Sequence, residues 1–158
     1  MFAQFARRSS ELEHLDKGDY TPDEYEGCII ELQRINRWLG DATALRGSLL
    51  KEIEQSGLRD FSVVDVGAGS GELLRVVAEW AREKKRTARL TGIELNPRSA
   101  AAILEDSSSF KGISAVRADA LRLPFADSKF DYAICSLFTH HFPNEQVVSI
   151  LSELSFFF

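Results

Sequence analysis

Two hydrophobic rhythms divide the chain. Up to residue 57 the apolar positions recur at helical spacing: Tyr25, Cys28, Ile29, Leu32, Ile35 and Leu39 form one stripe, and Leu45, Leu49 and Ile53 a second. Thr21 is placed to cap the first stripe, with Pro22 at the first helical position and Glu24 three residues after the cap. Gly40 and Gly57 end the two stripes, so the pattern predicts helices over 22–39 and 42–56. Ser10 and Glu13 fit a further capping box ahead of Gly18. From residue 58 the apolar runs shorten and become β-branched. Strands are predicted over 61–66, 89–94, 113–117 and 130–136, alternating with helices over 72–84 and 96–106 and a last helix opened by Pro143. This alternation predicts an α/β fold, a mostly parallel sheet with right-handed crossovers and helices on both faces. Residues 1–57 form a helical extension ahead of it, and residues 58–158 the α/β domain.

Composition narrows the field. At 158 residues the chain is one domain in size, and 44% apolar with 27% charged residues is globular composition. A net charge of −5 disfavours nucleic acid as a partner. No run approaches the roughly 18 apolar residues of a membrane span, and the start of the chain lacks the apolar core of a secretory leader. Cys28 and Cys135 are too few for a disulfide framework and read as reduced thiols in a cytoplasmic compartment. Cys28 lies on a helical stripe and is expected in the core. The apolar end, Phe156-Phe157-Phe158, is unusual for a soluble terminus.

The densest chemistry lies in Val64-Asp65-Val66-Gly67-Ala68-Gly69-Ser70-Gly71-Glu72, a strand end running into a helix start. Glycines there permit a sharp turn and close approach of a ligand to main-chain atoms. The third glycine comes one residue early for the G-x-G-x-x-G dinucleotide pattern, and Glu72 takes its place, which disfavours a nicotinamide-dependent oxidoreductase. Asp65 would repel a pyrophosphate and attract a cationic amine. Glu94 ends the second strand, where an acid can accept both hydroxyls of a ribose. Asp119 follows the third strand, where it can accept from an adenine amino group while the Ala120 N–H donates to a ring nitrogen. Taken singly, Glu94 also reads as a solvated acid, and Asp119 as a turn residue before Leu123-Pro124. Together the three acids describe a pocket for a nucleoside that carries a positive charge and no phosphate.

This constellation resembles the class I S-adenosylmethionine-dependent methyltransferases. The glycine loop is similar to their first motif and Gly92-Ile93-Glu94-Leu95-Asn96-Pro97 to their second. The run from Arg117 to Phe125, followed by Phe130-Asp131, resembles the third and fourth in the small-molecule quinone and sterol branch. The resemblance implies a Rossmann-like sheet, S-adenosyl-L-methionine as cofactor, and a small, hydrophobic acceptor methylated at oxygen or carbon. It implies that Gly67, Ala68, Gly69 and Gly71 line the methionine moiety. Glu94 and Leu95 would then hold the ribose and flank the adenine, Asp119 and Ala120 read the adenine edge, and Cys135 lies near the sulfonium. It also makes residues 1–57 a lid, with Tyr25, Arg34, Asn36, Arg37 and Trp38 as candidate contacts.

Methyl transfer from an activated cofactor needs mainly alignment, and a base only where the acceptor must lose a proton. His140 and His141, after the fourth strand, are the candidate catalytic bases. The plainer alternative is that one caps the last helix and the other is exposed. No metal site is expected, because adjacent histidines should point apart and no third ligand is at hand. His14 is expected at the surface. The resembled fold has seven strands in the order 3-2-1-4-5-7-6, and only four are legible here. Three explanations stand: a C-terminally truncated chain, a homodimer or other partner covering the exposed sheet edge, or a nucleoside-binding remnant without turnover.

Overall fold

The computed structural model describes residues 20–156. The expected capping box at Ser10 and Glu13, His14, and Phe157-Phe158 lie outside the described residues, as do the side chains of Asn36, Arg37 and Trp38. In chain order the elements are α1 (Pro22–Leu39), α2 (Asp41–Gly47), α3 (Leu49–Ser56), β1 (Asp60–Val66), α4 (Glu72–Glu83), β2 (Thr87–Glu94), α5 (Pro97–Asp106), β3 (Ile113–Arg117), β4 (Tyr132–Ile134), a 3-10 turn (Thr139–His141) and α6 (Asn144–Ser155). The strands form one sheet in the order β3-β2-β1-β4, every pair parallel. This is the predicted α/β architecture, a Rossmann-like sheet between helical layers.

β1 is buried along its whole length after Asp60, as expected of a central parallel strand covered on both faces. Phe61, Val63 and Leu90 face one layer, where Leu50 and Ile53 of α3, Leu74, Val77 and Trp80 of α4, and Ile103 of α5 complete a core. Val64, Val66 and Ile93 face the other, packed by Ile150 and Leu154 of α6. The link from β3 to β4 contains no α-helix. Its Ala120, Leu123 and Phe130 fill the space a crossover helix would occupy.

Two predicted elements differ from the structure. The single helix over 42–56 is two helices, because Ser48 leaves helical geometry (φ −114°, ψ −90°) and its hydroxyl donates to the Ala44 carbonyl at 2.7 Å. The break rotates the second stripe, so that Leu50 rather than Leu49 is fully buried. The fourth strand is shorter than predicted. Phe130 turns into the α6 core, and the Asp131 carboxylate accepts from the Ser62 amide and hydroxyl, each at 2.7 Å. Cys28 is only partly buried.

α1 begins as its sequence predicts. The Glu24 carboxylate accepts from the Thr21 amide and hydroxyl at 2.7 and 2.8 Å, and the Glu24 amide donates back to Thr21 at 3.3 Å. Tyr25 is 4% exposed, and its hydroxyl pairs with the Ser99 hydroxyl of α5. Tyr20 stacks on Tyr25 at 5.3 Å, and its hydroxyl accepts from the Asn96 amide at 2.6 Å. Asn96 also caps α5, its oxygen accepting from the Arg98 and Ser99 amides at 2.9 and 3.4 Å. One amide side chain therefore joins α1 to the start of α5. Tyr25→Phe leaves the buried Ser99 hydroxyl without this partner. It should cost about 1–2 kcal/mol in denaturant unfolding and accelerate amide exchange across residues 22–39 while β1 stays protected.

Candidate functional site

The parallel register brings the carboxyl ends of β1, β2 and β4 to one edge of the sheet. Asp65 pairs with Gly92 on one side and Ile134 on the other. Beyond β1 the chain turns in the glycine loop. The amides of Gly67 and Ala68 both donate to the Ile93 carbonyl, at 3.0 and 3.1 Å, and the Gly71 amide donates to Ala68 at 2.8 Å. Gly69 has φ +56°, and a Cβ built there would meet no atom within 4 Å. The loop thus presents bare main chain to open space, in a conformation that side-chain-bearing residues rarely adopt. Gly67 (φ +75°) differs, because a Cβ there would overlap the ring of Phe138.

Asp65, two residues before Gly67, is 3% exposed. Burial first, then the nearby carboxylates of Glu94 and Asp41, push its carboxyl up to about 7. Asp41 reaches the group from the start of α2 and accepts from the Ser136 hydroxyl at 3.3 Å. Cys135, between β4 and Ser136, is partly buried, and burial followed by the Asp65 charge raises its thiol pKa. Glu94 ends β2 and bears electrostatically on both Asp65 and Tyr25. Leu95 beside it is 61% exposed, and its carbonyl accepts from the Arg117 guanidinium at 3.1 Å. A cavity of about 190 Å³ opens between α2 and the end of β4, lined in part by Asp41, Leu45, Leu73, Cys135 and Ser136.

Of the three expected acids, Asp65 and Glu94 come together. Asp119 is exposed, and one of its oxygens accepts from the Leu121 amide at 2.9 Å, closing its own turn. Ala120 is buried in the α6-side core. His140 and His141 do not point apart as expected: their rings lie 4.1 Å apart, tilted by 33°, on the 3-10 turn. Neither caps α6, which starts after Pro143 with no side-chain cap. No cluster of three metal-ligating side chains exists among the described residues. Of the lid candidates, Tyr25 reaches the Glu94 region, whereas Arg34 is exposed and pairs with Glu31 on its own helix at 2.7 Å. Sequence reasoning missed Tyr20, Asp41, Ser99, Ser136 and Phe138. Asp41 carried a faint signal, an acid directly after the glycine that ends a helix. The others became visible only through the packing of distant segments.

A family model described as a methyltransferase domain matches residues 63–156, and the chain belongs to that family. No curated protein matches the sequence. Among solved structures, a SAM-dependent methyltransferase from Aquifex aeolicus is similar with a TM-score of 0.60 at 19% identity, over 88% of this chain and 68% of that one. The YcgJ protein of Bacillus subtilis gives 0.56 at 21% identity, over 71% of this chain and 46% of that one. Phosphoethanolamine N-methyltransferase 1 of Haemonchus contortus, solved with phosphoethanolamine and S-adenosylhomocysteine, gives 0.54 at 23% identity, over 63% of this chain and 20% of that one. The chain thus spans less than half the length of the last two. These likenesses establish the fold. No helix among the described residues is long and apolar enough to cross a membrane.

The Asp65 carboxyl predicts a pH signature. Its folded pKa of about 7 lies above the ordinary 3.8, so the folded state binds this proton more tightly than the unfolded state. Its contribution to stability therefore falls as pH rises from about 4 through about 7, by an amount on the order of a few kcal/mol. Asp65→Asn should flatten the fall, giving a higher Tm than the parent at pH 8 and little change at pH 4, measured by thermal melts across that range.

Proposed function

We propose that the protein transfers a methyl group from S-adenosylmethionine to an oxygen or carbon of a small, hydrophobic acceptor. The observation that carries this reading is the bare main chain at Gly69, in the loop after a strand whose Asp65 carboxyl is buried near Glu94 and Asp41. Such a setting suits a ligand bearing a cationic amine and opposes a pyrophosphate. S-Adenosylmethionine, when bound, supplies a methyl group already activated by its sulfonium. The chain's own task is to bind and align. In this reading Gly67, Ala68, Gly69 and Gly71 line the methionine moiety over Asp65. Glu94 holds the ribose hydroxyls, with Leu95 against the adenine, and Asp119 and Ala120 stand at the adenine edge. Cys135 faces the sulfonium. His140 or His141 takes the proton that an acceptor hydroxyl or activated carbon gives up.

The cavity beside Cys135 and Ser136, with its leucine walls, supports a small apolar acceptor. The motif from Arg117 to Phe125 supports the quinone and sterol branch, and the cysteine usage a cytoplasmic setting. Residues 20–57 serve as the lid, Tyr25 being their contact with the nucleoside end. β4 pairs only with β1 among the described residues. Its outer edge is where the rest of the acceptor wall attaches, from further chain as in the seven-stranded fold or from a second copy. A non-catalytic nucleoside-binding protein is the rival reading.

Calorimetric titration tests the binding half. S-Adenosylhomocysteine should bind and NAD should not. Gly69→Val should abolish binding with the circular dichroism spectrum retained. Glu94→Ala should weaken binding by about 1.5–3 kcal/mol. Because the ligand's ammonium needs an ionised Asp65, parent affinity should rise between pH 6 and pH 8, and Asp65→Asn should remove that rise. Binding of NAD in place of the nucleoside, or an unchanged Gly69→Val, overturns the reading. Methyl release from labelled cofactor in the presence of phenols or quinones then separates an enzyme from a binding protein.

A further inference from the structure

Between the glycine loop and the histidine pair lies one side chain that the proposed chemistry leaves unused. Leu137, just past β4, has φ +49°. A leucine in the left-handed region is strained, and its own side chain is 48% exposed and gains little core packing. The turn has another effect: it carries Phe138 back onto the glycine loop, where its ring occupies the position a Gly67 side chain would take. The same ring meets Phe142 edge-on at 4.9 Å and lies 6.2 Å from the ring of His141. The Phe138 carbonyl accepts from the His141 amide at 3.2 Å, closing the 3-10 turn that stacks the two histidines. Phe138 therefore touches the element that would hold the methyl donor and shapes the one that would face the acceptor.

We propose that Phe138 is a positioning residue, a wedge between Gly67 and the Thr139–His141 turn that sets the distance from the methyl donor to the acceptor side of the site. The proposal rests on the methyl-transfer reading and deepens it. The ring is a suitable spacer, because it is stiff, its packing leaves no room for a Cβ on Gly67, and Phe142 backs it from the core side. In-line displacement depends on near-contact geometry, and a misplacement of about 1 Å from a remote change can cost about a hundredfold in rate. Loss of the wedge should therefore act on turnover more than on cofactor affinity.

The test uses the full chain with S-adenosylhomocysteine as probe, followed by NMR. With three histidines in the sequence, ring resonances are separable. In the parent protein the probe should shift the Gly69 and Gly71 amides and the His141 ring together. In Phe138→Ala the glycine amides should still respond, with affinity within about threefold, while the His141 response falls by about threefold or more. Phe138→Tyr should restore it. Where an acceptor supports turnover, Phe138→Ala should lower kcat about tenfold or more with the cofactor KM little changed. Should Phe138→Ala fail to fold, Phe138→Leu, which keeps the apolar bulk, should show the same separation at smaller size. An equal His141 response in parent and Phe138→Ala overturns the proposal and leaves the methyl-transfer reading standing. Silence of the glycine amides in the parent overturns that reading, and the wedge with it.

Discussion

Asp65 and Glu94 end neighbouring parallel strands, and the parallel register leaves them no freedom to separate. Two carboxylates are held at one sheet edge, and one of them is almost wholly inside the protein. Burying an ionised carboxylate beside another is unfavourable, so the group retains its proton to about neutral pH. The rest of the site is arranged around this constraint. The loop that follows Asp65 offers open main chain at Gly69. Asp41 adds to the negative field instead of relieving it. An entering cation would relieve the field that these carboxylates build at Asp65. The fold is thus least comfortable where its proposed ligand would sit, a common arrangement at functional sites.

Much of this architecture is legible in the amino-acid sequence. The strand and helix periods from residue 58 onward located β1, β2, β3, α4, α5 and α6 closely, because each carries a clean apolar pattern and a glycine or proline at its boundary. The three glycines and two of the three acids took their places at the strand ends. What was not legible arose from contacts between distant segments. Ser48 breaks a helix through its own hydroxyl, an option that a smooth apolar stripe conceals. β4 is short because Phe130 and Asp131 have other partners. Adjacent histidines point apart on a regular helix or strand, but a 3-10 turn brings their rings together. The carboxylate of Asp119 is used locally, and its sequence context alone could not separate that use from recognition of an adenine.

The helical extension is coupled to the loop that follows Glu94 through a short polar relay. Tyr20 binds Asn96, Asn96 caps α5, and α5 presents Ser99 to Tyr25. A helix with a modest apolar stripe would be weakly held by hydrophobic contact alone. Here it is fixed by two tyrosine hydroxyls, on Asn96 and Ser99, whose rings stack on each other. Order in the extension and order in that loop accordingly rise and fall together.

The interruption at Ser48 has a reach beyond its own turn. α2, the half before the break, carries Asp41 at its start, and that carboxylate accepts from the Ser136 hydroxyl after β4. The break at Ser48 makes the segment that carries Asp41 a helix distinct from the one that buries Leu50 and Ile53. A substitution at Ser48 therefore bears on the helix that brings one of the neighbouring acids toward Asp65, a route to change at the site that leaves every motif residue untouched.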